Sequence, residues 1–200
     1  TSMLLVSYIK EKETGYEIPS PAHAAKRPVD IESNEQLYLT GLHIEQYRHA
    51  TYNAKDYYEE ALRRDEKDIR NNNALGLWYL RKGQFKKAEL FFEKEIDTLT
   101  GHNPNPYDGE PYYNLGIALK MQGKTDKAYE ALYKAVWSEA WQHAGYLQLA
   151  QIPCLRNECE KAFELIESSL FKNYHSHTAR HAKTFILRKL GRHEEAVAFA

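Results

Sequence analysis

Residues 72–96 read NNALGLWYLRKGQFKKAELFFEKEI, and this stretch decides the fold. In its first half Leu75, Gly76 and Tyr79 fall on one stripe with the i, i+3, i+4 spacing of a helix. In its second half Ala88, Phe92 and Ile96 follow one another at intervals of four. Gly83 stands between the halves and can take the left-handed conformation that ends a helix. Small Gly76 and Ala88 allow two helix backbones to approach, while Tyr79 and Phe92 fill the space beside them. The pattern predicts helices over 72–82 and 85–99 packed as a hairpin. Neither helix can bury its stripe alone, so such hairpins must stack.

The rest of the chain repeats the same columns. Ala54, Ala88, Ala128, Ala162 and Ala196 are spaced by 34, 40, 34 and 34 residues. Four residues after each come Tyr58, Phe92, Leu132, Ile166 and Ala200, and four further Leu62, Ile96, Val136 and Leu170. Turn residues Gly83, Gly123, Asn157 and Gly191 keep one phase, as do the pairs Leu75-Gly76, Leu115-Gly116 and Leu149-Ala150. The expected fold is an all-α superhelix of helix hairpins over residues 34–200, with four full units and a fifth that stops at Ala200. The first unit has one extra residue between Gly41 and Ala54. Pro153 falls near the end of the fourth unit's first helix, where a kink or an early stop is expected.

Spacing and columns together resemble the tetratricopeptide repeat, whose period is 34 residues. The resemblance implies that the superhelix is right-handed. Three segments, 34–51 (NEQLYLTGLHIEQYRHAT), 57–65 (YYEEALRRD) and 103–116 (NPNPYDGEPYYNLG), further resemble a family of large bacterial proteins. In that family tetratricopeptide repeats follow an N-terminal β-rich domain. The resemblance implies that residues 1–33 are the end of such a domain, with a strand over 3–9, followed by an extended linker over 10–33. The apolar helical end at Val197 and Phe199 likewise suggests a piece of a longer protein. An association of the family with carbohydrate use raises the alternative of an accessory segment in a carbohydrate-binding or carbohydrate-active protein. It implies no catalytic residues at these positions.

Composition sets the remaining bounds. The 200 residues carry 27 Lys+Arg against 28 Asp+Glu, a net charge of −1, with 42% hydrophobic and 15 Tyr. That balance argues against broad electrostatic capture of nucleic acid or anionic membrane. No apolar run approaches the length of a membrane span, and the first residues lack the flanks of a secretory signal. Cys154 and Cys159 are too few for a disulfide framework and suit a reducing, cytoplasmic setting. Their spacing is not C-x-x-C, so ordinary free thiols are expected, at least one of them buried.

Candidate binding residues lie on the stripe of each first helix that hairpin packing leaves unused. The first unit offers Tyr38, Leu42, Glu45 and His49; the second Arg70, Asn73, Leu77 and Arg81; the third Glu110, Tyr113, Ile117 and Lys120. Such a stripe lines the concave groove of the repeat and suits a peptide or protein partner, with aromatic and Arg anchors. The partner could be the protein's own N-terminal domain, and a second copy could pair through the apolar end. A plainly solvated face is the structural alternative. No clamp of cations for a C-terminal carboxylate is evident, since Glu110 stands where one is wanted. The 40-residue period makes room for an inter-repeat loop, where Asn103, Tyr107 and Asp108 form either a rigid turn or a polar lip. There Asp108 would cap the next helix and Pro111 would fall in its first turn.

Other constellations carry less. His43, Glu45, Arg48 and His49 include an acid–base pair but no nucleophile, so hydrogen bonding between the first two helices is expected of Arg48 and His49. His175, His177 and His181 lack a completing ligand for a metal, and Val197 replaces the second His after His193-Glu194. Trp137 and Trp141 are expected to pack between the third and fourth units. No catalysis, cofactor or metal is expected.

Overall fold

The computed structural model describes residues 6–10, 20–21, 23–105 and 107–200. Among these, ten α-helices form five antiparallel hairpins: α1 (Asn34–Gln46) with α2 (Ala54–Arg64), α3 (Ile69–Arg81) with α4 (Phe85–Thr100), α5 (Glu110–Met121) with α6 (Thr125–Ala135), α7 (Glu139–Leu155) with α8 (Cys159–Lys172), and α9 (His177–Lys189) with α10 (His193–Phe199). Each second helix packs on the first helix of the next hairpin. First helices also meet each other, α1 on α3, α3 on α5 and α5 on α7, so they line the inner side of the curve.

One contact recurs inside the hairpins. A Cβ built on Gly41 would lie 2.5 Å from the Tyr58 ring, one on Gly76 2.5 Å from the Phe92 ring, and one on Gly116 2.6 Å from Leu132. The missing side chain is filled by the large residue of the facing helix, which is fully buried in each case. In the fourth unit Ala150 and Ile166 stand at these two places, a larger residue facing a smaller one.

The turns between paired helices are equally uniform. Gly83, Gly123 and Gly191 have φ of 70°, 75° and 76°, and Asn157 has φ of 60°. The following amide closes a six-residue turn in each: Gln84 to Tyr79 O, Lys124 to Leu119 O, Glu158 to Pro153 O and Arg192 to Leu187 O, all within 3.0 Å. The first hairpin uses the same turn, with Arg48 left-handed at φ 49° and the His49 amide donating to Ile44 O at 3.0 Å. The extra residue of that unit therefore lies beyond the turn, before Asn53, which caps α2 through the Lys55 amide. Arg48 and His49 are both exposed, so the buried hydrogen bonding expected of them is absent among the described residues.

Three other expectations are corrected. Pro153 does not stop α7 early: the helix ends two residues before Asn157, just as α3, α5 and α9 end two residues before their glycines. The proline deletes one donor near the end of the helix, and amides of Arg156, Asn157 and Glu158 close the turn behind it. Neither cysteine is fully buried; both are free and partly buried, Cys154 packing against the core. Trp137 does not pack between units but stands 62% exposed with Lys134 3.7 Å over its ring, whereas Trp141 packs on Tyr113 at 4.8 Å.

Just before α1, residues 25–32 are docked rather than free. A 3-10 turn at Pro28–Asp30 leads to buried Ile31. Arg64 of α2 donates to the carbonyls of Pro28, Ile31 and Glu32, and the Tyr57 hydroxyl donates to Lys26 O at 2.9 Å. Residues 6–9 of the expected strand are exposed and pair with no ladder; residues 3–5 lie outside the described residues.

The glycine contact gives a direct test. Gly76→Ala should destabilise the fold by about 1–3 kcal/mol, because the new methyl collides with a ring that has no free volume to enter. Adding Phe92→Ile, which reproduces the Ala150–Ile166 arrangement, should recover part of the loss in urea unfolding. A double variant no more stable than Gly76→Ala would refute the complementarity.

Candidate functional site on the inner face

The inner face is built from the first helices, and much of the expected stripe is occupied by bonds within the protein. Glu35 of α1 and Arg70 of α3 form a two-pronged ion pair, and Arg70 also lies 5.3 Å over the Tyr38 ring. Glu45 receives Arg81 from α3 and, at 3.4 Å, the Tyr58 hydroxyl. Burial, then the Glu45 carboxylate, push the Tyr58 phenol upward. Between α3 and α5, Asn73 donates to Glu110 Oε1 at 2.8 Å and accepts from Asn114 at 2.9 Å. His49 is not on the stripe at all. It sits beyond the end of α1, where its Nδ1 accepts from the Thr51 and Tyr52 amides at 3.2 Å.

The third and later units differ. Tyr113 packs against Trp141 with the rings tilted by 32°, and burial raises its phenol. Lys120 donates to the amide oxygens of Gln148 and Gln151 on α7, the latter at 2.8 Å, and makes no ion pair among the described residues. Burial lowers its ammonium below the usual lysine range. Beside Gln151 opens an apolar recess of about 250 Å³, lined by Ala150, Cys154, Leu155, Ala182, Phe185 and Ile186. Leu155 is 75% exposed and Phe185 53%. Lys189 lies 5.8 Å over Phe185. Burial, then Cys159, push the Cys154 thiol up, and Lys189 acts in the opposite direction.

Sequence reasoning placed Lys120 on the stripe but missed Gln148, Gln151, Cys154 and Phe185. The signal was present: carrying Ile117 and Lys120 forward by one 34-residue period lands on Gln151 and Cys154, and by two on Phe185 and Arg188.

In the inter-repeat loop Pro111 falls in the first turn of α5 as expected, but Asp108 is not its cap: Gly109 is the N-cap, no side chain caps the helix, and Asp108 makes a local turn instead. Asp108 Oδ1 accepts from the Glu110 amide at 2.9 Å and from Trp141 Nε1 at 3.2 Å. Asn103 accepts from the Asn105 amide at 3.0 Å, a local turn. Tyr107 is wholly exposed and lines a cleft of about 490 Å³ with Tyr112, Lys134 and Trp137. Beneath this loop Glu95 of α4 is buried, and its Oε2 has no hydrogen-bond partner. Desolvation, then the carboxylates of Glu110 and Asp108, raise it to about 9. His175, His177 and His181 belong to no metal-holding group among the described residues.

The tetratricopeptide repeat family model matches residues 73–107, the second unit and the loop after it. MamA is similar in structure at 22% identity and a TM-score of 0.70, over 83% of this chain and 87% of that one. PilF of Pseudomonas aeruginosa matches at 20% identity and a TM-score of 0.72, over 83% and 72%. YrrB matches at 16% identity and a TM-score of 0.64, over 82% and 80%.

Glu95 gives a pH prediction with a definite sign. Its proton is held more tightly in the folded chain than in the unfolded one, so its contribution is full below about pH 4.5 and is lost as pH rises toward 9. At pH 7 the loss is roughly 3 kcal/mol, from about 1.4 kcal/mol per pH unit. Glu95→Gln should therefore be more stable than the parent at pH 8 and show a flatter stability profile between pH 5 and 9. Parallel profiles for the two proteins would contradict a neutral Glu95.

The fold established by this geometry and these neighbours is that of the tetratricopeptide-repeat superhelix.

Proposed function

We propose that this repeat array is a non-catalytic scaffold that binds a peptide or protein segment along its inner face. The observation that carries the reading is the recess lined by α7 and α9, continuous through Gln151 with Lys120. Exposed Leu155 and Phe185 leave apolar area open to solvent at a concave place, where a partner's side chain would gain from burial. In the first two units the corresponding polar groups satisfy one another, so the partner's strongest contacts belong to the last three. YrrB is described as a tetratricopeptide-repeat protein with an unusual peptide-binding site, which supports the same use of the fold here. The proposed setting is cytoplasmic, which the two free thiols suit. No helix among the described residues is long and apolar enough to cross a membrane. A preceding β-rich domain remains part of the proposal, as one candidate occupant of the groove.

The test is a peptide array probed with the chain, followed by replacement of Phe185. Phe185 is half-exposed, so Phe185→Ser should leave the melting temperature nearly unchanged and weaken array-derived peptides at least tenfold. Peptides that bind the parent and the variant equally would place the binding surface elsewhere.

A further inference from the structure

The inner face is not evenly neutralised. Toward its start, cations are matched: Arg70 by Glu35 and Arg81 by Glu45. Toward its end they are not. Lys120 rests on two neutral amide oxygens, and Lys189 stands over the Phe185 ring; neither makes an ion pair among the described residues. Helix α7 has Glu139, in its first turn, as its one carboxylate, and α9 has none while carrying Arg180, Lys183, Arg188 and Lys189. Of those four, Lys183 is paired with Glu167 at 2.6 Å.

Lys120 is the most informative group. An ammonium partly withdrawn from water and given only dipoles for company is poorly compensated, and an incoming carboxylate would supply the missing charge. Gln148 and Gln151 hold it in one place, so little side-chain entropy remains to be lost on binding. The apolar recess begins at Gln151 itself, and Lys189 lies 5.8 Å over Phe185 in its lining. Cation, recess and cation therefore lie on three successive first helices: Lys120 on α5, the recess between α7 and α9, and Lys189 on α9.

We propose that the occupant of this surface is an acidic peptide segment, with a bulky apolar side chain in the recess between Leu155 and Phe185 and a carboxylate on Lys120. This rests on the reading of the inner face as a peptide groove and adds the chemistry of the ligand. A second flanking carboxylate falls to Lys189. Recognition of this kind uses the aromatic and aliphatic anchor for affinity and the charges for register and choice of partner. A basic peptide would meet two unpaired lysines and be rejected by like charge.

The experiment uses fluorescence polarisation with the 200-residue chain and four labelled peptides. The first has the sequence Gly-Ser-Asp-Glu-Leu-Phe-Glu-Asp-Ser-Gly. The second replaces its acidic residues by Lys, the third replaces Leu-Phe by Ser-Ser, and the fourth replaces the acidic residues by Gln. The acidic peptide should bind at least tenfold more tightly than each of the other three, and tightening at low salt should be confined to it. Lys120→Gln should weaken it at least fivefold, and Lys120→Arg should restore part of the loss. Lys189→Gln should weaken it by a smaller factor. A circular-dichroism melt matching the parent would exclude unfolding as the cause. Equal binding of the acidic and Gln-substituted peptides, or of Lys120→Gln and the parent, would overturn the acidic assignment. If an array then yields neutral or basic peptides that Phe185→Ser weakens, the groove stands and only its ligand chemistry falls. If no peptide of any composition is weakened by Phe185→Ser, the groove reading falls with it.

Discussion

The close approach of two helices at a residue without a side chain governs this structure. Where Gly41, Gly76 and Gly116 face Tyr58, Phe92 and Leu132, an added Cβ would sit about a bond length inside van der Waals contact. The large residue of the second helix occupies the room the glycine leaves, and it is completely buried. Interiors packed this densely have few alternative arrangements, so the contact fixes both the separation and the register of the pair. Everything outside the hairpin inherits that register: the phase of the left-handed turn, the face turned to the next unit, and the stripe left over for the inner surface.

That inheritance explains how much was legible in the sequence. The Ala and large-residue columns mark the helix–helix contact, and glycines or Asn157 mark the turns, because few residues tolerate either place. Position along the array was harder to read. Arg48 occupies a left-handed turn without being Gly or Asn, so the first turn carried no signature, and His49 was assigned to a helix that had already ended. Pro153 signalled an early stop that did not come: it removes a single amide donor near the helix end, and α7 runs on to Leu155. The docked segment around Ile31 was hidden because Arg64 donates to its backbone carbonyls, and side-chain patterns do not report those.

The inner face was legible as a surface but not as a site. Helical spacing named Arg70, Arg81, Asn73, Glu110 and Lys120, yet it could not say which would be spent on one another. The pairs Glu35–Arg70 and Glu45–Arg81 join residues one repeat apart, a separation that a single helix wheel does not display. Reading the columns across units rather than along helices is what distinguishes them. A charge whose counterpart recurs one period away belongs to the array's own stitching; a charge facing only amides, as Lys120 does, is the one the proposed reading assigns to a partner.

This distinction also weighs stability against recognition. Exposed ion pairs such as Glu35–Arg70 contribute little on their own, generally under about 1 kcal/mol, so stitching is a weak reason for their presence as far as folding energy goes. Their larger effect is to remove free charge from the first two units and leave that part of the groove electrostatically quiet. On the proposed reading, Lys120 and the recess beside it stand out against that background, and a partner would be oriented by the unmet charge and uncovered apolar surface there. In a solenoid, where each unit touches only its neighbours, such a gradient can be written unit by unit without disturbing the packing that holds the hairpins together.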